Sequence, residues 1–524
     1  MHFSIPETKE IKNGFKTFIT YLIYINGSFH CSLRYRQLYH FHIQLKKAFG
    51  ANSLSDFPPK KFLPLNSLQI EERRSQLEKY IQIVSQDSQI INSDIFNGFL
   101  LAAQQESLND IVGNDSIDVY QLDWQPVRLM TNGQENSENL LKKICQTIGM
   151  NAKYVPYFAL YLVERFVRDD IVTNFRMIRR LQNFESPLLT LRTMMNKAAD
   201  NHNKFVIIIR KSYFDIQFDQ DLFDDAIALN CIYLQAVHDI ENGHIICNNA
   251  DTLKRLNHLK MNANKLEYIQ LSRLQKFYGY LHFEPCLCDL PSLTPKTSVT
   301  MFAGNQELII RANDTDQEYS FRVIRIKCWR LTTSNNHRND SLTENESQDH
   351  PKEEKGRFEL SFEYLINKGT LQWITIYSSQ AVLISYCLQS MVEEMLLKRE
   401  GKKFRSEGLA IRYNTSPNSR LANQNQMDQM NINTNGGGVN IANDSGFEWN
   451  YCKQDGSQFP LSTSSSTTTL TSEKSQNSEK SMNDTTEQQQ QLKLNGITDP
   501  LSQRFQEISL VENDVFDEIG DDDL

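Results

Sequence analysis

The sequence lacks the short motifs that mark common catalytic and nucleotide-binding sites. Four patterns are absent: G-x-G-x-x-G, G-x-x-x-x-G-K-[ST], H-E-x-x-H and G-x-S-x-G. Of the nine cysteines only Cys286 and Cys288 lie close together, and no second pair follows at zinc-ligand spacing. The eleven histidines show no ligand spacing either. We therefore expect reduced thiols in a cytosolic protein, with no metal, no cofactor and no enzymatic activity.

The chain also has little excess basic charge and no long apolar run. Its 55 basic and 64 acidic residues give a net charge of -9, which is unlike a general nucleic-acid-binding protein. No apolar stretch approaches the ~20 residues needed to span a bilayer. Residues 1–6 lack the basic and apolar regions of a signal peptide. Any membrane contact is therefore expected to be peripheral, through a local basic patch.

The first 107 or so residues carry the signals of a compact α+β domain. Strands are predicted at 18–25 and 29–35, joined by Asn26-Gly27, a dipeptide that tolerates the positive φ angles of a two-residue hairpin. The prolines of Phe57-Pro58-Pro59 favour an extended loop. The helices predicted in this region cover residues 40–49, 71–85 and 93–105.

Three further ordered regions follow. Residues 116–200 read as a small mixed domain with a helix near 138–148, and residues 204–283 read as mainly helical. Strands return from residue 298, including a long one at 321–329. A closing helix at 379–398 suggests a pleckstrin-like barrel with its capping helix.

Two segments are poor in core-forming residues, and the end of the sequence is acidic. Residues 333–356 and 401 to about 500 are rich in polar residues, so we predict that both are disordered. Residues 507–524 contain eight acids, no Lys and no Arg, interleaved with apolar residues. Such alternation is typical of short linear interaction motifs.

Cations recur on three elements of the first domain. Arg34-Tyr35-Arg36 ends a strand, Lys60-Lys61 lies in the proline loop, and Arg73-Arg74 lies at the start of a predicted helix. An inositol phosphate headgroup needs such a distribution, with arginine forks for phosphate and a lysine for the diester. Tyr35 could lie against the inositol ring. Judged by residue types alone, a solvated basic face is an equally good interpretation.

Apolar residues follow the two lysines directly. Phe62, Leu63 and Leu65 are the candidates for insertion into the bilayer interface.

The order R-Y-x-x-L, F-P-P-K-K, E-R-R-x-x-L-E-x-Y resembles the phox-homology (PX) domain. The resemblance implies binding of phosphatidylinositol 3-phosphate. Arg34 would then hold the 3-phosphate with Arg36 beside it, and Lys60 would meet the 1-phosphate. Arg73 would hold the ring hydroxyls. The resemblance to the PX-FERM class of sorting nexins covers about residues 1–400 and the final residues; it rests on residues 1–6, 35–59, 204–214, 321–329, 360–365 and 385–392.

That class ends in a PTB-like barrel, which implies binding of N-P-x-[YF] or N-x-x-[YF] signals in receptor tails. A peptide would add as a strand near 321–329 and pack on the helix at 379–398. The resemblance implies that Trp329, Val392 and Leu396 contact the peptide. For Val392 and Leu396, burial in the core is a serious alternative.

The end of the chain also resembles the class. The resemblance implies that its final residues bind the Retriever/Commander recycling complex, with the Leu524 carboxylate as anchor. The residues concerned are Ile519, Gly520, Asp521, Asp522, Asp523 and Leu524.

The predicted architecture is an α+β multidomain protein: a PX domain, then a three-lobed FERM-like unit with ubiquitin-like, helical and PTB-like lobes. The predicted bounds are 1–108, 116–200, 201–283 and 284–400, then a low-complexity linker at 401–506 and an acidic motif at 507–524. The predicted function is a cargo adaptor, cytoplasmic and peripheral on early endosomes. The alternative is a FERM-type cortical scaffold that binds receptor tails and a Ras-type GTPase. Binding of N-P-x-Y peptides distinguishes the two.

Overall fold

The computed structural model describes residues 1–13, 16–61, 63–108, 115–168, 171–197, 205–334, 357–401, 441–442, 448–449 and 505–516. These residues form an N-terminal domain and three lobes. None of the helices within the described ranges is long and apolar enough to cross a membrane.

The N-terminal domain packs four helices on an antiparallel sheet of four strands. Its elements are β1 (Phe3–Ser4), β2 (Thr8–Asn13), β3 (Lys16–Ile25), β4 (Ser28–Arg34), α1 (Tyr35–Phe49), α2 (Ser67–Val84), α3 (Ser88–Ile91) and α4 (Asp94–Ser107). β3 pairs with the other three strands. Asn26 and Gly27 turn the β3–β4 hairpin at φ angles of 50° and 75°, as predicted from their dipeptide. Phe41 of α1 stacks on Phe99 of α4 with ring centroids 4.1 Å apart, which joins the two helices in one core.

Helix α2 begins four residues before the predicted start at residue 71. Asn66 caps it by accepting a hydrogen bond of 2.9 Å from the backbone N–H of Gln69. The Arg73-Arg74 pair therefore lies in the second turn of α2 rather than at its start.

The first lobe is a five-stranded mixed sheet with two helices. Its elements are β5 (Asp115–Tyr120), β6 (Pro126–Thr131), α5 (Ser137–Thr147), β7 (Phe158–Arg168), β8 (Ile171–Arg180), α6 (Pro187–Lys197) and β9 (Phe205–Lys211). The strand order is β6-β5-β9-β7-β8, with β9 parallel to β5. The predicted boundary at residue 200 is therefore wrong, because the fully buried β9 is the central strand of this lobe. Its run of apolar residues needs cover on both faces, which only a sheet centre supplies.

The second lobe is helical. Its elements are α7 (Ala226–Glu241), α8 (Ala250–Met261) and α9 (Lys265–Ser272). Asp225 caps α7 through hydrogen bonds from the N–H groups of Ile227 and Ala228.

The third lobe is a sheet closed by one long helix. Its elements are β10 (Leu281–His282), β11 (Cys286–Asp289), β12 (Thr297–Gly304), β13 (Glu307–Ala312), β14 (Glu318–Arg322), β15 (Ile326–Ser334), β16 (Arg357–Asn367), β17 (Thr370–Tyr377) and α10 (Ala381–Arg399). The strand predicted at 321–329 is in fact divided. β14 ends at Arg322, a 3-10 turn covers Val323–Arg325, and β15 then extends to Ser334, past the predicted start of the insert at residue 333.

Three short strands follow. β18 (Ile441–Ala442) pairs with β19 (Glu448–Trp449). β20 (Phe505–Glu512) lies beside β15 and extends the sheet of the third lobe. The acidic end of the sequence therefore begins as a strand within the bounds predicted for a linker and a linear motif.

Buried hydrogen bonds join the units. Glu394 of α10 accepts hydrogen bonds from the backbone N–H groups of Phe214 and Asp215, at 2.9 and 2.8 Å, where the first lobe passes into the second. Gln104 of α4 accepts from the Ser186 N–H (2.8 Å) and donates to the Thr190 hydroxyl (3.1 Å) in the first lobe. These contacts fix the N-terminal domain and α10 against their neighbours.

Candidate functional site

The first candidate site is a cationic face on the N-terminal domain, where β4 passes into α1. The guanidinium of Arg34 lies 4.1 Å from the centroid of the Phe18 ring. The backbone N–H of Arg34 donates to the Gln37 side chain at 2.8 Å, so the residue is fixed at the start of α1. Arg34 is half-buried, whereas Arg36, two residues later, is exposed.

Arg73 joins helix α2 to this face. Its guanidinium lies 4.3 Å from the centroid of the Tyr35 ring, and its Nη2 is 3.4 Å from the carbonyl oxygen of Pro59. The Tyr35 hydroxyl donates to the carbonyl oxygen of Pro58 at 2.8 Å. The proline loop that carries Lys60 is therefore held against both helices. Burial raises the pKa of Tyr35 and the Arg73 charge opposes this, so the ring stays neutral and can lie against a sugar-like ring.

Arg36 and Lys60 lie near the same histidine. The Nε of Arg36 is 3.4 Å from the Nε2 of His40. Burial lowers the pKa of His40, and the charges of Arg36 and Lys60 lower it further. The structure thus places four of the residues predicted to hold a headgroup around the proline loop, and the fifth, Arg34, directly precedes Tyr35 at the start of α1. The four are Tyr35, Arg36, Lys60 and Arg73.

Arg74 has a different role, although it follows Arg73 in the sequence. It is buried, pairs with Glu71 and Glu78, and donates to the carbonyl oxygen of Ile5. Arg74 therefore holds the N-terminal segment to α2 and does not belong to the cationic face.

The apolar residues beside the lysines differ in exposure. Leu63 is 81% exposed, Leu65 is half-buried, and Phe62 lies outside the described residues. Leu68, in the first turn of α2, is 80% exposed and was missed. The signal for it was the helix start at Asn66, which places Leu68 next to the loop.

The second candidate site is the edge of the third-lobe sheet at β15. There the chain's own β20 pairs antiparallel with β15, with Trp329 opposite Val511 and Leu331 opposite Ser509. Strand addition at a sheet edge is the geometry predicted for a bound peptide. A segment of this chain therefore occupies the edge on which a peptide was expected.

The residues after β20 form a tight turn at the end of that edge. The Asn513 Nδ2 donates to the carbonyl oxygens of Val323 and Ile326, at 2.8 and 2.6 Å. The Oδ1 of Asn513 accepts from the Val515 N–H (3.2 Å), and its carbonyl oxygen accepts from the Phe516 N–H (3.0 Å). Asn513-Asp514-Val515-Phe516 is itself an N-x-x-F sequence, so it matches the peptide pattern stated above.

The three predicted peptide contacts lie beneath this segment. Trp329 is 1% exposed, and its Nε1 donates to the hydroxyl of Ser385 on α10 at 2.9 Å. Val392 is buried and Leu396 is partly buried, in the same apolar cluster as the fully buried Val515. The side chain of Trp329 therefore lies in the core, and only the backbone of its strand pairs with β20. Val392 and Leu396 share an apolar cluster with Val515 of the chain's own segment.

One cluster has the composition of a metal site. Ligand atoms of His238, Asp239 and His244 lie within 4.8 Å of one another. Asp239 is also paired with Arg210 at 3.4 Å, and this pairing helps to hold the pKa of the carboxyl below its usual range despite burial. Because a guanidinium already neutralises the single carboxylate, a divalent cation here would add uncompensated buried charge. We read the cluster as an internal ion-pair network where the lobes meet.

Comparisons with family models match every folded unit. The PX domain model matches residues 22–103. The F1 lobe model of the sorting nexin 17/27/31 FERM domain matches 115–214, and the F2 lobe model of sorting nexins 17/31 matches 215–276. The Sorting Nexin 17 FERM C-terminal domain model matches 279–396. These matches define a PX domain followed by the three FERM lobes, a class of adaptor or scaffold rather than enzyme.

Whole-chain relatives make the assignment narrower. Sorting nexin-17 of Danio rerio is 37% identical over 421 residues, which cover 79% of this chain and 85% of the relative. Sorting nexin-17 of Homo sapiens is 37% identical over 412 residues, 77% and 84% of the two chains. Sorting nexin-31 of Mus musculus is 30% identical over 402 residues, which cover 76% of this chain and 87% of the relative. The chain belongs to the sorting nexin 17 family.

Among solved structures, the complex of the FERM and C-terminal domains of Drosophila Merlin is similar at 14% identity. It covers 55% of this chain and 98% of its own, with a TM-score of 0.35.

Family membership confirms the coarse predictions. The protein is a sorting nexin adaptor. Its PX domain implies phosphoinositide binding and peripheral association with endosomal membrane, and its FERM unit implies binding of receptor tails. The residues predicted to bind a recycling complex, Ile519 to Leu524, lie outside the described residues.

Proposed function

We propose that this protein binds phosphatidylinositol 3-phosphate on early endosomes and NPxY or NxxY signals in the tails of transmembrane cargo. It thereby directs the cargo to recycling and away from lysosomal degradation. The observation that carries the proposal is the Asn513-x-x-Phe516 segment on the edge of β15. A groove that accepts this pattern from its own chain has the shape and hydrogen-bonding groups to accept it from a receptor.

The same observation adds a regulatory element to the proposed function. A cargo peptide and residues 505–516 compete for one edge, because an edge strand can pair with only one partner at a time on its open side. Cargo therefore displaces the chain's own segment. The final residues, 517–524, follow this segment directly and become available to the Retriever/Commander complex when it leaves the groove.

Peptide binding tests the cargo site. In fluorescence polarisation with a labelled N-P-x-Y peptide, Val392→Asp and Trp329→Ala should each abolish binding, because the first places a charge in the apolar cluster and the second removes its largest side chain. Ser385→Ala is the matched control for Trp329→Ala, since it removes the acceptor of the indole N–H and keeps the ring. The thermal unfolding of Val392→Asp and Trp329→Ala is measured first, to check that both variants fold. A folded Val392→Asp protein with wild-type affinity contradicts the site.

Vesicle flotation tests the lipid site. Arg34→Gln and Arg73→Gln should each weaken binding to phosphatidylcholine vesicles that carry phosphatidylinositol 3-phosphate by about tenfold or more, because each removes a charge-assisted contact. Arg128→Gln is the control, since this exposed arginine of the first lobe is paired with Asp118. Unchanged flotation of Arg34→Gln contradicts the headgroup assignment.

A pulldown tests the recycling contact. Deletion of Leu524 should abolish capture of the Retriever/Commander complex by the full chain in the presence of saturating cargo peptide. Capture that persists without Leu524 contradicts its role as an anchor.

A further inference from the structure

The second lobe exposes large apolar side chains that the proposed sites do not use. They lie in residues 250–276, here called the helical hairpin, which contain α8 and α9. Met261 is 86% exposed and Leu274 is 79% exposed, and Leu253 and Leu266 are also exposed. Among the described residues only Leu63 and Leu68, beside the candidate lipid site, match the exposure of Met261 and Leu274. Side chains of this size left almost fully in water commonly mark a contact surface.

The helical hairpin is also basic in an acidic protein. It contains six Lys and Arg residues and two acids, so it carries four positive charges, whereas the whole chain carries -9. Arg273 is turned inward, towards the carbonyl oxygen of Ile216 and the buried Asp219. Lys254, Arg255, Lys260 and Lys276 are exposed, and Lys265 is half-buried.

The ion pairs of these cations are mostly at the surface. Lys254 pairs with Asp251 at 3.1 Å, with both side chains about four-fifths exposed. Arg255 pairs with Glu267 at 2.6 Å, and its side chain is 62% exposed. Exposed pairs of this kind contribute little in water, so a cation can exchange its carboxylate for a phosphate at small cost.

We propose that the helical hairpin is a second membrane-contacting surface, which binds anionic phospholipid without recognising a particular headgroup. Apolar side chains that enter the interface, surrounded by lysine and arginine, form the combination that holds a helix on an anionic bilayer. Met261 and Leu274 supply the apolar part, and Lys254 and Arg255 supply charge. The same pairing of cations with exposed leucines occurs at Lys60 and Leu63, at the candidate lipid site of the N-terminal domain.

Flotation of the full chain on vesicles without phosphoinositide tests this surface apart from the PX domain. Wild type should bind phosphatidylcholine vesicles with phosphatidylserine and should not bind phosphatidylcholine alone. The double variant Met261→Gln/Leu274→Gln should bind the phosphatidylserine vesicles about tenfold more weakly, because two side chains lose their transfer into the interface. Met130→Gln is the matched control, since Met130 is 65% exposed but lies in the first lobe.

A second pair of variants tests the charges. Lys254→Gln/Arg255→Gln should weaken binding by about tenfold and reduce its dependence on salt. Lys142→Gln/Lys143→Gln, on the exposed side of α5, is the control of equal charge and should have no effect. The proposal is overturned if wild type ignores phosphatidylserine, or if both double variants float like wild type. The second result leaves a protein partner as the occupant of the surface. Because no phosphoinositide is present, either result stands apart from the outcome of the Arg34 test.

Discussion

Replacement of Asn513 by alanine should make the protein a better binder of cargo peptide. Asn513 is 4% exposed and makes three hydrogen bonds with its side chain, to Val323, Ile326 and Val515. Two of these bonds join the segment to the groove, and each neutral hydrogen bond contributes about 1 kcal/mol net, so the variant should lose about 2 kcal/mol of the affinity between the chain's own segment and the groove. That loss shifts the ratio of occupied to open groove by about 30-fold.

The tether decides how much of this shift is observed. Because residues 505–516 belong to the same chain as the groove, they compete intramolecularly, at an effective concentration on the order of millimolar. A free peptide at micromolar concentration therefore competes at a disadvantage in the wild type. Truncation after residue 504 removes the competitor and sets the upper limit of the gain.

The assay is fluorescence polarisation with one N-P-x-Y peptide and four proteins: wild type, Asn513→Ala, the truncation and Glu512→Ala. Glu512 is exposed and pairs with β15 through its backbone, so its replacement should change affinity less than about twofold. The peptide affinity of Asn513→Ala should lie between the affinities of wild type and the truncation. Equal affinities of wild type and truncation would refute competition, and a weaker truncation would mean that β20 supports the groove instead of blocking it.

Three other predictions concern the packing between units. Burial lowers the pKa of His30 to about 4, so the imidazole stays neutral in the folded protein, whereas in the unfolded chain it is protonated below about pH 6.5. The free energy of unfolding should therefore fall as the pH drops through this window, by about 2 kcal/mol at pH 5. In denaturant titrations at pH 8 and pH 5, His30→Gln should remove this loss of stability, and the exposed His258→Gln should not. Glu394→Ala should lower the free energy of unfolding by about 2–4 kcal/mol, because it leaves two buried N–H groups unpaired. Glu394→Gln should lower the melting temperature less. Equal melting temperatures of the two variants would mean that the carboxylate is not the acceptor. Gly27→Ala should lower the melting temperature by several degrees, because a Cβ at this φ of +75° would lie 2.9 Å from the Phe358 ring. An unchanged melting temperature would show that the N-terminal domain can shift away from the third lobe.

Local signals in the sequence predicted local structure well. The Asn26-Gly27 turn and the long closing helix both depend on neighbours within a few positions. Local signals do not predict that Arg73 lies on the cationic face while Arg74 is buried in ion pairs. This difference depends on which side of α2 faces Glu78 and the N-terminal strand, and the two side chains differ only in that direction.

Pairings between distant segments were missed for a related reason. β9 is a run of apolar residues that fits a strand in any lobe, and its place between β5 and β7 is fixed only by the folded sheet. β20 pairs with a strand about 180 residues earlier in the sequence. The sequence contains the N-x-x-F pattern at Asn513, but its acidic surroundings predict a linear motif for another partner. Periodicity can indicate that a strand forms, but it cannot name the partner strand.

Helix α10 has consequences for how this protein can be divided. One side of it holds Ser385 and Val392 beneath the peptide edge, while Glu394 and Lys398 reach across to the join between the first two lobes. A third lobe produced alone would expose Glu394 without its two N–H donors and would leave apolar surface uncovered. Binding constants measured on such a fragment would therefore not describe the groove in the full chain. A change of cargo preference should therefore be engineered by substitutions within the groove, because exchange of the third lobe alone would break these contacts.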